Sequence, residues 1–385
     1  MKENVETSPH YYNFLERKKV KSHNEYLRNV ILTCVDGYNN KTFGFGLGEK
    51  EDSLSDFFNS ISIDISISVD DIRTNFKEYD PDHRRFREYP LVRGMKGEYY
   101  PLYNNFLIDK IYQGLIFDFY KHSTIREIFK TLPDFLNFLG NFAESILFHN
   151  HIDKCFPLRK WIVRRRGDRT SSIEYSDFYL RDGNTVFLFE FKNSLINSSV
   201  KHSRDFPKIK EEIFKKMVNN EKGKKKGITQ LLSVVHQTVS IGFEFDKQIS
   251  KAGRLNVFPI IVYTDDFFSL IGVQYLIREE FQRIVTGSPL KRHRVNDIIM
   301  IHLKDIIDIK YQVTLGKTSF KNIISEYKER RKGKLRKKDR SIDDVIDKYV
   351  SFRILMRDQI QSYSDRQEIA NQLKNILSED IDVGE

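Results

Sequence analysis

Three side chains within residues 173–194 (IEYSDFYLRDGNTVFLFEFKNS) have the types and spacing for phosphodiester chemistry: Asp177, Glu190 and Lys192. Glu190 and Lys192 stand two apart in an apolar run, so on a strand they point to one face. Asp177 belongs to a second β-like run across Arg181-Asp182-Gly183-Asn184, and Asp-Gly between alternating segments is the strongest short-range hairpin signal. With Asp182-Gly183 as the two-residue turn, Leu180 pairs with Thr185 and Asp177 with Leu188. Asp177 then lies diagonal to Glu190 on the same face, at about 7–8 Å between Cα atoms. Two carboxylates reaching toward each other from that distance can hold a hard divalent cation, with the Phe191 carbonyl as a further ligand. Such an ion polarises a phosphate and acidifies a bound water, while the Lys192 ammonium orients that water or offsets the charge of the transition state. Charges at the end of an apolar hairpin are costly to desolvate without partners, a cost that a bound metal would resolve; a surface strand with an ion pair is the alternative.

The elements that must hold this trio can be read on either side. Apolar residues Phe135, Leu139, Phe142, Ala143, Ile146 and Leu147 recur at helical spacing, which predicts a helix over 133–149 with Pro133 in its first turn. Strands are expected over 173–180 and 185–192, helices over 207–218 and 228–241, and a buried strand over 257–264, weakened by Pro259. A helix over 267–284 and a strand over 297–303 complete an α/β pattern. Upstream the chain reads as strand-rich: 29–34 and 42–47 flank a turn-rich segment, and Ile61, Ile63, Ile65, Ile67 and Val69 alternate with polar residues. Helical spacing returns over 106–120, and 342–377 reads as helix.

Asp177 followed after a tight hairpin by Glu190-Phe191-Lys192 resembles the D…(D/E)-x-K signature of the PD-(D/E)XK nuclease superfamily, which includes many restriction endonucleases. Ser176 stands where that signature's proline would be. The resemblance covers roughly residues 132–305. It implies an α-β-β-β-α-β core, Mg²⁺ as cofactor with Mn²⁺ as a substitute, and hydrolysis of DNA, most naturally double-stranded. It also implies a fourth site residue on the first helix, where Glu144 stands, and a glutamine on the helix after the motif, which Gln230 matches loosely. A role in restriction or anti-phage defence fits the resemblance, as do a homodimer or a defence-system partner protein. A catalytically inactive nucleic-acid-binding or assembly protein on the same fold, and an RNA-directed nuclease, are the alternatives.

Other strings carry less. Glu16-Arg17-Lys18, Asp308-Ile309-Lys310 and Glu326-Tyr327-Lys328 match the tripeptide without a hairpin before them. His149-Asn150-His151 reads as a polar helix end. Gly316-Lys317-Thr318 lacks the first glycine of a phosphate loop, since position 311 is Tyr311. Asp265-Asp266 is explained by helix capping as well as by a site.

Composition bounds the rest. The 385 residues carry 64 Lys and Arg against 54 Asp and Glu, a net charge of +10, which favours a polyanionic partner. Arg164-Arg165-Arg166 and Lys222, Lys224, Lys225 and Lys226 flank the motif and are candidates for phosphate contact. A third basic cluster, 328–340, reads as a solvated helix face or linker, with nucleic-acid binding as the alternative. No apolar run approaches the roughly 20 residues of a membrane helix, the start lacks a signal-like apolar stretch, and a cytoplasmic protein is expected. Two cysteines, Cys34 and Cys155, are too few for a disulfide framework or structural zinc and are read as small buried hydrophobes. The expected fold class is α/β: a restriction-endonuclease-like core, a mixed sheet flanked by helices, over 131–312. A strand-rich N-terminal domain over 1–130 precedes it, and a basic linker and helical tail over 313–385 follows.

Overall fold

A computed structural model describes residues 4–39, 52–64, 83–94, 97–111, 113–156, 162–166, 176–219, 225–249, 254–286, 294–336, 338, 341–360 and 374. The protein divides into two compact units, Met1–Phe138 with Asp365–Glu385, and Leu139–Ser364.

Among the described residues the first unit is helix-dominated, where a strand-rich domain was expected. Its helices are α1 (Ser8–Arg17), α2 (His23–Asn39), α3 (Asp52–Ser60), α4 (Arg84–Glu88), α5 (Asn104–Asp109) and α6 (Gln113–His122). The strand expected over 29–34 lies inside α2. Tyr26, Asn29, Val30 and Thr33 are buried at i, i+3, i+4 and i+7, a helical stripe that a short β-branched window conceals. Of the alternating run, Ser62–Asp64 forms β1, parallel to β2 (Leu91–Arg93), which pairs antiparallel with β3 (Tyr99–Pro101). Residues 65–69 and 42–47 lie outside the described residues. The helix expected over 106–120 is two helices, α5 and α6. Between them the buried Lys110 Nζ donates to Asp118 Oδ2 at 2.6 Å and to the Glu88 carbonyl at 2.7 Å.

In the second unit, the end of α7 (Leu132–Phe142) runs through one π-helical turn, Ala143–Phe148, into α8 (His149–Lys154). The wider turn rotates the downstream side chains away from the positions an α-helical wheel would give them. Ile146, expected on the buried stripe, is therefore exposed, and Phe148 and Ile152 are buried; Phe142, which precedes the turn, is exposed as well. The chain then forms β4 (Ile162–Arg166), β5 (Phe178–Asp182) and β6 (Thr185–Lys192), three consecutive antiparallel strands. Helices α9 (Ser198–Lys201), α10 (Phe206–Met217) and α11 (Gly227–Ser240) lead to β7 (Asn256–Tyr263), parallel to β6. After α12 (Val273–Thr286), β8 (Arg294–Val295) and β9 (Ile299–His302) both pair parallel with β7. The sheet is thus mixed and flanked by helices.

Pro259 sits inside β7, opposite Leu188. The Val257 carbonyl accepts from Asn296, so alternate residues of β7 turn their polar groups toward β8 and β9. Pro259 faces the gap between those two short strands, where no ladder bond is lost for want of its N–H.

Alternation along the strands sorts the core into two layers. Phe187, Phe189, Phe258, Ile260 and Ile301 pack under α8, α13 (Leu303–Thr314) and α14 (Phe320–Arg336), while Val186, Leu188, Val257 and Ile261 pack under α10, α11 and α12. The segment from 313 onward, expected as linker and tail, feeds the first layer with Phe320, Ile323, Tyr327, Phe352 and Met356, the last two at α16 (Phe352–Leu355), which comes after α15 (Ile342–Lys348). Cys155 is buried in the same layer, whereas Cys34 in the first unit is half-buried, and both are free thiols.

Candidate active site at the end of the β5–β6 hairpin

The hairpin forms with a register two residues from the expected one. Asp182 pairs with Thr185 and Phe178 with Phe189, so the loop is Gly183-Asn184 rather than Asp182-Gly183. Gly183 has φ +61° and occupies the first central position, where a type II′ turn needs glycine. A slip of two leaves every side chain on its expected face but brings Asp177 level with Glu190 instead of diagonal to it.

Asp177 stands just before β5 and its carboxylate is turned onto the next strand. The Phe191 N–H donates to Asp177 Oδ2 at 2.7 Å, replacing a ladder bond that β5 no longer supplies. The backbone of Asp177 is anchored in turn by His149 of α8, whose Nε2 donates to the Asp177 carbonyl at 2.9 Å. On β6, Lys192 Nζ donates to Glu190 Oε1 at 2.6 Å and to Gln230 Oε1 at 3.1 Å. The Glu190 side chain is only 2% exposed and that of Lys192 15%. Gln230 reaches the pair because α11 starts at Gly227, φ +38°, packed directly against the Met217 carbonyl, and lays Leu231, Leu232, Val234 and Val235 on the sheet. Glu144, in the π-helical turn, is half-buried, and its charge acts on both Asp177 and Lys192.

The electrostatics result from burial and crowding. Burial, then the carboxylates of Glu190 and Glu144, raise the Asp177 carboxyl well above its usual range, against the opposing Lys192 ammonium and Phe191 N–H. Burial alone would depress Lys192, but the Glu190 and Asp177 carboxylates outweigh it and raise the ammonium above its ordinary value. Lys192 is therefore a cation at neutral pH.

The structure thus brings together Asp177, Glu190, Phe191, Lys192 and Gln230, with Glu144 close by. It also places His149, which the sequence offered only as a polar helix end; a histidine serving a backbone carbonyl has no spacing signature. Arg164-Arg165-Arg166 form the edge strand β4. Arg166 Nε donates to Asp153 Oδ2 at 3.1 Å, Arg164 Nη1 to the Asp153 carbonyl at 3.4 Å, and Arg165 lies over the Phe245 ring. Lys225 binds Ser233 Oγ at 2.6 Å, Lys226 precedes α11, and Lys222 and Lys224 lie outside the described residues. Asp265 caps the turn immediately after it and accepts from the Ile196 N–H at 2.9 Å, a structural duty.

Among the described residues, no group of three or more His, Cys, Asp and Glu side chains is placed to hold a metal ion. The donors at the hairpin end are two carboxylates and a carbonyl, all hard oxygens. A strand residue turns its N–H and C=O to the same side, so the Phe191 carbonyl faces the edge on which Asp177 lies. The acid-rich, buried surroundings that raise Asp177 are those a divalent cation would relieve, and in that respect the residues fit Mg²⁺. No protein family, curated protein or solved structure matches the chain. No helix among the described residues is long and apolar enough to cross a membrane.

Proposed function

We propose that this protein is a Mg²⁺-dependent endonuclease of PD-(D/E)XK type acting on double-stranded DNA, with Mn²⁺ as a substitute ion. The observation that carries the reading is the convergence of Asp177, Glu190 and Lys192 on one face of a hairpin end, with Gln230 of the crossover helix bonded to the lysine. The element order, a helix, three antiparallel strands, helices and a parallel strand, supports it. Asp177, Glu190 and the Phe191 carbonyl would hold the ion. When bound, it supplies polarisation of the phosphate and an acidified water. Lys192, held charged by its carboxylate neighbours, neutralises negative charge on the phosphate rather than accepting a proton. Gln230 fixes the lysine's direction, and His149 fixes the backbone from which Asp177 projects. A role in restriction or phage defence, as a homodimer or with a partner protein, is compatible with this chemistry.

No three His, Cys, Asp or Glu side chains among the described residues are grouped so as to hold a metal ion, which fits one other reading, a non-catalytic nucleic-acid-binding protein on the same fold. Digestion of plasmid DNA, linear duplex and RNA with Mg²⁺ or with EDTA separates the two. Cleavage of DNA that needs metal and is lost in Asp177→Ala, Glu190→Ala and Lys192→Ala is the expected result. Salt-sensitive, EDTA-insensitive binding without cleavage of any substrate would establish the second reading instead.

A further inference from the structure

The basic cluster of α14 has a use unrelated to the hairpin. Lys328, Arg331, Lys332 and Leu335 recur at i, i+3, i+4 and i+7, one face of the helix. They line a cavity of about 130 Å³ together with Phe258, Asn296, Asp297, Ile298, Ile299 and Tyr327. The neighbouring cations on other faces of α14 are neutralised: Arg330 binds Glu326 and Asp358, and Lys334 pairs with Asp347. Arg331 is different. It is 7% exposed, and its Nε and Nη2 are buried with no hydrogen-bond partner among the described residues. Asp297 on the same wall lies within the influence of Arg278 and Lys328. A buried guanidinium with idle donors is costly, and an oxyanion is what its planar fork is shaped to receive.

We propose that this cavity binds a phosphate group, with Arg331 as the principal donor and Lys328 beside it. On the wall Lys332 is paired with Glu329 at 2.8 Å and Lys328 donates to Asn296 Oδ1 at 2.6 Å, so the idle donors are those of Arg331, and Arg331 with Lys328 outweighs the single acid Asp297 in favour of an anion. The volume is well under the roughly 300–1,000 Å³ that encloses a whole small molecule, so the cavity takes the charged group and not the body of a ligand. Inorganic phosphate and the terminal phosphate of a mononucleotide are the two sources of that chemistry. The pocket is separate from the hairpin site. Phe258 pairs with Phe187, three residues before Glu190 and on the opposite layer of the sheet, so the pocket lies under α14 while Glu190 and Lys192 face α11.

The test is calorimetric titration of the full chain with sodium phosphate and with AMP at constant ionic strength, using chloride as baseline. Saturable binding of either anion is expected, at least tenfold weaker in Arg331→Gln, severalfold weaker in Lys328→Gln and unchanged in Asp177→Ala. Binding of phosphate alone or of AMP alone identifies the source. If Arg331→Gln does not fold, the half-buried Lys328→Gln decides. The proposal fails if neither anion binds, if both pocket variants bind like the parent, if Asp177→Ala removes the binding, or if only a short DNA duplex binds.

Discussion

Replacing Lys192 by Met tests both the architecture and the chemistry of the hairpin site. The ammonium is 2.6 Å from a carboxylate that is 2% exposed, so the variant removes the cation from a desolvated pair. Deleting one partner of such a pair costs about 3–5 kcal/mol, because the remaining charge keeps its desolvation penalty. For a unit of this size, roughly 2–4 °C per kcal/mol gives a fall of about 6–20 °C in the midpoint of the second unit's unfolding. Differential scanning calorimetry of the variant beside the parent reads that fall. The double variant Lys192→Met/Glu190→Leu removes both charges and should recover most of the loss, since an apolar pair of similar volume is tolerated where a lone charge is not. Cleavage should be absent from both variants, which separates lost chemistry from lost folding. A shift under about 2 °C in the single variant, or a double variant no better than the single, would refute the assignment of Glu190 and Lys192 as a desolvated pair.

Gly227→Ala should lower stability by about 1–3 kcal/mol in urea denaturation, because φ is +38° and a Cβ would strike the Met217 carbonyl; full activity in that variant would argue against Gln230 as a positioning group. Asp246 accepts from Tyr179 Oη and from Nε and Nη2 of the buried Arg181, so Asp246→Ala should cost about 3–5 kcal/mol, measured the same way, and a loss below 1 kcal/mol would contradict it. Burial, against the pull of Arg353, raises the Asp305 carboxyl from 3.8 to about 6. Its folded pKa is above the unfolded one, so its contribution to stability is complete below pH 3.8 and is lost as pH rises through about 6; Asp305→Asn should remove that part of the pH slope of the urea midpoint. Because Asp177 is raised, Mg²⁺ binding should release protons and weaken in acid, and titration heats that do not depend on the buffer's ionisation enthalpy would count against the metal proposal.

Much of the site was legible because a hairpin encodes faces with period two. The run 185–192 and its partner place Asp177, Glu190 and Lys192 on one side whether the turn is Asp182-Gly183 or Gly183-Asn184, and only the opposition of Asp177 to Glu190 depended on the choice. The parallel strand β7 was legible from an apolar run, but the tolerance of Pro259 was not, since it depends on a gap between two strands some 35 residues away in sequence. The N-terminal segment misled for a physical reason: Val30 and Ile31 carry β-branched chains whose helical burial shows only over a longer window that includes Tyr26 and Thr33. The π-helical turn at 143–148 has no sequence period of its own, so the exposure of Ile146 could not be read. Arg331 looked like one basic residue among ten in 321–340. Its distinction is that Nε and Nη2 have no hydrogen-bond partner among the described residues, a property of surroundings and not of composition.

The two pairings of β6 differ in how far along the chain their partners lie. Its hairpin with β5 closes across Gly183-Asn184, while its parallel pairing with β7 joins Thr185 to Asn256, 71 residues later. Loop closure on that scale is slower and entropically dearer than a tight turn. As the chain is synthesised, Asp177, Glu190 and Lys192 are therefore gathered by a local hairpin before β7 exists to cover β6, and before Gly227–Ser240 brings Gln230 to the lysine. Until then β6 has an open edge, and Val186 and Leu188 lack the cover that α10, α11 and α12 later give them. The acidic and basic residues at its end are thus a charged terminus on the segment of the nascent chain most prone to associate with another strand.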